Sequence, residues 1–266
     1  MFSYGFFVNA LVGVFLLSIA SAIIGTYIVS RRLVSISGGV THACFGGLGL
    51  GYWLGVSPVA MAAVFAVASS LGVQWLSERY RVREDSAIAV IWALGMAVGT
   101  LFIFLTPGYV PELNAFLFGN ILTISRGDLW MFGGFTVLTA AIMGGWFNTI
   151  VLCAFDPDFA RVRHLPVRLV TTVMTVLVAV CIVLTIKLVG VMLLMSMLAL
   201  PQMTAEVFAR RFSSIMWISI AVSLLCSVGG LLLATVVAVP CSALIVLIMA
   251  AAYAVARVTR LVASRT

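Results

Sequence analysis

Lysine is almost absent. Lys187 is the only one in 266 residues, and Ile186 precedes it, so the chain has no Gly-Lys-Ser/Thr phosphate loop and cannot hold ATP in that way. Acidic residues number eight and histidines two, and neither His-Glu-x-x-His nor Gly-x-Ser-x-Gly occurs. A membrane hydrolase needs several convergent polar groups and would find few here. A proton-coupled carrier, which relies on intramembrane carboxylates, is disfavoured for the same reason. The five cysteines (Cys44, Cys153, Cys181, Cys226 and Cys241) form no close pair and no zinc-cluster spacing. Charged residues make up 9% of the chain, against roughly 25% in a soluble domain.

What fills the chain instead is apolar: 64% of residues are hydrophobic, and the mean hydropathy is +1.25. Apolar runs of about 20 residues, the length that crosses a bilayer as a helix, recur from end to end. The expectation is an all-α integral membrane protein, a polytopic bundle forming a single transmembrane domain over residues 1–266. Ala20-Ser21-Ala22 imitates a signal-peptide cleavage site, but no basic residue precedes it and the apolar run continues to Ser30, which reads as a retained first span. The net charge of +7 does not point to nucleic acid, because the basic residues sit in short clusters between apolar runs.

Those clusters set the topology. Spans are expected at 7–30, 34–54, 57–76, 86–105, 129–152, 167–186, 188–204, 214–236 and 241–258. Arg31 and Arg32 follow the first; Arg79, Arg81 and Arg83 the third; Arg161, Arg163 and Arg168 the fifth; Arg210 and Arg211 the seventh; Arg257, Arg260 and Arg265 close the chain. Every alternate loop is basic. Placing these loops in the cytoplasm gives about nine spans, N-terminus outside and C-terminus inside; the weak boundary near Lys187 leaves eight as the alternative. Residues 106–127 contain Pro107, Gly108 and Pro111 and only a half-length apolar stretch, which reads as an external or re-entrant segment. Residues 154–169, AFDPDFARVRHLPVRL, form a long mixed-charge cytoplasmic loop able to make a short amphipathic helix. A second such loop, 201–214, begins at Pro201, which is expected to end or kink the seventh span.

From Leu33 to Ser77 no Lys, Arg, Asp or Glu occurs, yet His42 lies within that stretch. At ~1.5 Å per residue it falls roughly 15 Å beyond Arg32, near the middle of a ~30 Å hydrocarbon core. An ionisable group at that depth normally faces protein or a polar pathway, which makes His42 a candidate ligand or gate for a metal ion; the plainer alternative is a hydrogen bond to a neighbouring carbonyl. Gly39, Ala43, Gly47, Gly51 and Gly55 recur every four residues beside it, a small-residue ridge of the kind that lets helices approach closely in lipid. Cys44 lies on a different face of the helix, so a His42–Cys44 catalytic pair is not expected. Met192, Met195 and Met197 read as core filling, Lys187 as a snorkelling residue, and Glu84 and Asp85 as acids suited to a helix N-terminus.

The run SISGGVTHACFGGLGLG resembles the second-helix signature of the permease subunits of zinc/manganese/iron-type ATP-binding-cassette importers. EDSAIAVIWALGMAVGTLF, TPGYVPELNAFLFGNILTIS, AFDPDFAR, VGVMLLMSMLALPQMTAEVFARR and VPCSALIV are similar to that family too, in its order and over nearly the whole chain. The resemblance implies a type II importer-like fold in a bacterial or archaeal cytoplasmic membrane, no cofactor bound by this chain, and a divalent metal ion as substrate. Its implied partners are a cytoplasmic ATPase subunit that holds the ATP, an extracytoplasmic solute-binding protein and a second copy of the chain. It also assigns Asp156, Asp158, Phe159 and Arg161 of the 154–169 loop to contact with the ATPase. Many members carry Asp four residues before the histidine, where this chain has Gly38. Either ligands come from another helix or the dimer mate, or the ion passes hydrated or chelated; a permease for a larger siderophore- or haem-type chelate is the alternative reading.

Overall fold

A computed structural model describes residues 5–107, 119, 121–237 and 239–263. Among them the regular elements are helical: α1 (Gly5–Ser30), α2 (Val34–Leu54), α3 (Pro58–Tyr80), α4 (Glu84–Leu105), a 3-10 turn (Ile121–Thr123), α5 (Arg126–Gly145), α6 (Phe147–Phe155), α7 (Pro157–Val162), α8 (Val167–Phe208), α9 (Phe212–Val237) and α10 (Cys241–Ala263). Of the expected external segment 106–127, residues 108–118 and 120 lie outside the described residues.

Local sequence explains several helix ends. Ser57 caps α3, with Pro58 in its first turn, where a missing N–H costs nothing. Ser125 and Asp128 form a reciprocal capping box on α5. α2 stops at Gly55, whose φ of 68° favours a residue without Cβ; Gly55 N donates to Tyr52 O at 3.2 Å and Val56 N to Gly51 O at 3.1 Å.

The nine expected spans are not reproduced one for one. Among the described residues seven helices are long and apolar enough to cross a membrane: α1, α3, α4, α5, α8, α9 and α10. α2 is 21 residues long, but its glycines, with Thr41 and His42, dilute its hydropathy. The sixth and seventh expected spans run together as α8, whose 42 residues are interrupted at Gly190 (φ 80°, ψ 172°). The boundary expected near Lys187 therefore lies three residues later, at the residue able to take a left-handed φ. The fifth expected span is likewise divided at Trp146, between α5 and α6.

Pro201 is a further correction in that it does not end the helix: α8 continues through it to Phe208. A proline withdraws the N–H that would serve the carbonyl four residues earlier, here Met197 O. Gln202 replaces it, its Nε2 donating to Met197 O at 3.2 Å and to Ser21 O of α1 at 3.1 Å. Gly25 leaves the space for this amide, since a Cβ there would lie 2.7 Å from Gln202 Cδ. Gln202→Leu should strip both buried carbonyls of that donor and destabilise the protein by about 1–3 kcal/mol. Adding Pro201→Ala should recover part of the loss by restoring the backbone N–H. Thermal melting of the purified protein reads both changes, and a Gln202→Leu protein melting like wild type would show that the amide does not hold α1 to α8.

The helices form two compact units. In one, comprising Met1–Ser30, Asn114–Phe147 and Leu188–Thr266, α1 packs on α9 and α5, and α9 on α10. Asn9 Nδ2 donates to Ile124 O at 3.2 Å, and the Arg260 guanidinium donates to Val207 O near the end of α8, a favourable place for a cation. Ser18 of α1 and Ser219, Ser223 and Ser227 of α9 are buried without a hydrogen-bond partner, serving as small residues that permit close helix approach. The other unit, Arg31–Leu113 with Asn148–Lys187, contains α2, α3, α4, α7 and the first part of α8.

Candidate functional site

α2 and α4 lie side by side and run the same way. At their starts Arg31 pairs with Glu84 at 3.6 Å and Ser35 Oγ donates to Asp85 Oδ1 at 2.8 Å. At their far ends Trp53 meets Phe102, ring centroids 5.2 Å apart. The end of α3 joins the arginine-bearing end: Gln74 Nε2 donates to Thr172 Oγ1 at 3.1 Å, and Arg168 lies 3.7 Å from Glu78. The starts of α2, α4 and α8 and the end of α3 thus share one end of this unit.

Glycines set the separation of the helices. A Cβ on Gly39 would strike the Ile88 side chain of α4. A Cβ on Gly95 of α4 would run into the backbone of Ala43, one on Gly46 would lie 3.0 Å from Gly95 O, and one on Gly49 would lie 2.9 Å from Gly99 Cα. Gly47 and Gly51 face α3 instead, where an added Cβ would lie 2.8 Å from Ala62 Cα and 2.7 Å from Pro58 Cα. Gly55 meets no helix and has open space around it; it is the helix terminator.

His42 lies halfway along this pair. Its imidazole stacks on the Trp92 indole of α4, centroids 4.5 Å apart and planes inclined by 6°. The His42 side chain is half-buried, and among the described residues its nitrogens make no hydrogen bond. Gly38, at the position of the family's acid, is buried on the same helix. Among the described residues no three His, Cys, Asp or Glu side chains come together as a metal site, so His42 offers one imidazole donor. Trp92 was not singled out by sequence reasoning. The available signal was depth: Trp92 follows Arg83 by nearly the interval that separates His42 from Arg32.

The four residues assigned to the ATPase contact fall on or beside α7. Asp156 caps the helix, its Oδ1 accepting from Phe159 N at 2.9 Å, and Pro157 occupies the first turn. Asp158 and Arg161 pair at 2.7 Å, both largely in solvent. Phe159 is 45% exposed and Val162 75%, with Arg163 over the Phe159 ring at 5.2 Å. His164 (φ 55°) ends the helix, its N bonding Arg161 O at 2.9 Å while Leu165 N bonds Ala160 O at 3.0 Å. Beside α7 opens a groove of about 660 Å³ lined by Arg161, Leu165, Pro166, Arg168 and Thr172 among others. α7 is thus a self-capped peg, apolar on part of its exposed surface and charged around it.

Residues 3–260 match the ABC 3 transport family. A Chlamydia pneumoniae protein named "Probable metal transport system membrane protein" is 38% identical over 242 residues, covering 89% of this chain and 83% of that protein. The manganese transport system membrane protein MntC of Halalkalibacterium halodurans is 27% identical over 256 residues, covering 96% and 88%. Among solved structures, a chain of PsaBC from Streptococcus pneumoniae in complex with Fab superposes with a TM-score of 0.82 at 24% identity, covering 95% of this chain and 91% of that one.

Proposed function

The chain belongs to the ABC 3 transport family, and on that premise we propose that it is the membrane permease subunit of an ATP-driven importer of a divalent metal ion: zinc, manganese or iron. Relatives named for metal and manganese transport support the substrate class. Within the chain, the observation that carries the metal reading is His42, a half-buried imidazole at mid-length of α2 that makes no hydrogen bond among the described residues. Such a group is retained in a membrane where it meets a polar substrate.

The permease crosses nine times when α2 is counted and α8 is divided at Gly190. A 42-residue helix would be ~63 Å long, about twice the hydrocarbon core. The arginine-bearing ends face the cytoplasm, with the N-terminus outside and the C-terminus inside. There α7 docks on a separate ATPase subunit, a solute-binding protein delivers the ion from outside, and two copies of the chain enclose the route. Rigid-body movement of spans, driven through α7, then opens the site alternately to the two sides.

The test is the metal content of cells lacking this chain, grown with zinc, manganese or ferrous ion supplied singly at limiting concentration. One of the three should fall, and re-expression of the chain should restore it. Unchanged content of all three would overturn the reading, and loss only of a chelated form would replace it with the chelate permease.

A further inference from the structure

We propose that Trp92 is the positioning residue of the transport site, its indole fixing the plane of the His42 imidazole so that a divalent cation meets the nitrogen edge of the ring. This rests on His42 being a ligand on the metal route. In metal-ligating histidines the ring is ordinarily oriented by a hydrogen bond from its second nitrogen to a carboxylate or carbonyl. Among the described residues His42 has no such bond. On its own helix the residues four before and four after it, Gly38 and Gly46, have no side chains. The ring contact across the helix pair is the parallel stack on Trp92, at 4.5 Å and 6°.

The stack is built into the backbone of the helix pair. Ala43 and Gly46 approach Gly95 and Gly49 approaches Gly99, which brings α4 near enough to α2 for two flat rings to lie face to face. Trp92 lies against one face of the imidazole, and the indole remains 40% exposed. An imidazole that has given its lone pair to a cation is electron-poor, and the electron-rich indole face attracts it more strongly than the free ring. The stack therefore favours the metal-bound state, and its loss should appear in affinity more than in maximal rate.

The experiment uses the complete importer in cells, with zinc, manganese or ferrous ion as the probe and uptake expressed per folded permease. Trp92→Leu should raise the half-saturating concentration of the transported ion about tenfold, with the maximal rate within about twofold of wild type. Trp92→Phe keeps a flat ring and should recover most of that loss. His42→Ala should lower uptake at least as far, and the His42→Ala/Trp92→Leu double variant should be no worse than His42→Ala alone. In the purified importer, the same ion should change the tryptophan emission of wild type, and Trp92→Phe and His42→Ala should each abolish that change. If His42→Ala lowers uptake per folded permease but Trp92→Leu does not, or the two effects add, the positioning role is overturned while the metal route stands. If His42→Ala leaves uptake unchanged, the metal reading of His42 falls, and the role of Trp92 with it.

Discussion

Gly95→Val is expected to remove most of the folded permease from the membrane. The Cβ of any residue at 95 would enter the backbone of Ala43 at its Cα and lie 3.1 Å from its Cβ, so no side-chain rotation relieves the contact. The neighbouring turn offers no slack, since a Cβ at Gly99 would lie 2.6 Å from Phe45 O. α2 and α4 would have to separate, which breaks the seam along their length and pulls Trp92 away from His42. Overpacking a well-fitted contact costs about 1–3 kcal/mol when side chains can adjust, and here the obstruction is main chain, so a loss of about 3 kcal/mol or more is expected. Gly134 of α5 is the control. A Cβ there meets nothing within 4 Å, so Gly134→Ala should be neutral or stabilising by about 0.5–1 kcal/mol. Membrane abundance and melting temperature of the two variants make the comparison, and equal melting would show that the α2–α4 seam is not tightly fitted.

The same seam shows where a sequence can be read and where it cannot. Apolar runs between arginine clusters locate the helices, because in lipid the backbone must satisfy itself within each span. The small residues of α2 are equally visible. Their partners are not. Positions four apart advance about 40° beyond a full turn at 3.6 residues per turn, so the row that begins against α4 at Gly39 and Ala43 has turned to α3 by Gly47 and Gly51, while Gly46 and Gly49 take over the contact with α4. Trp92 was hidden for the same reason: its significance depends on which two helices pair and in what register. Pro201 does not end α8, and the donor it withdraws is supplied by the side chain of the next residue, which no propensity argument anticipates. Gly190, one more glycine in an apolar run, stands out only through its φ of 80°.

Phe159→Asp should abolish transport-stimulated ATP hydrolysis in the complete importer and leave the permease folded and inserted. α7 does not depend on the phenyl ring for its structure. Asp156 and Pro157 start it, Asp158 and Arg161 pair across it, and the bonds to Arg161 O and Ala160 O close it. What the ring offers, with Val162 beside it, is an exposed apolar surface among charged side chains, the usual mark of a surface covered by a partner. If α7 docks on the ATPase as proposed, a carboxylate at 159 would replace that apolar contact with a desolvated charge, at a cost of several kcal/mol, about a hundredfold or more in docking affinity. Phe159→Leu, apolar and smaller, should retain most of the stimulation, which separates loss of docking from loss of one ring. Melting temperature and membrane abundance of Phe159→Asp should match wild type, because the Arg163 contact over the ring is solvent-exposed and worth about 0.5–1 kcal/mol. Normal stimulation of hydrolysis in Phe159→Asp would remove α7 from the coupling mechanism and leave the groove beside it, with Arg161 and Arg168 on its walls, as the surface to test next.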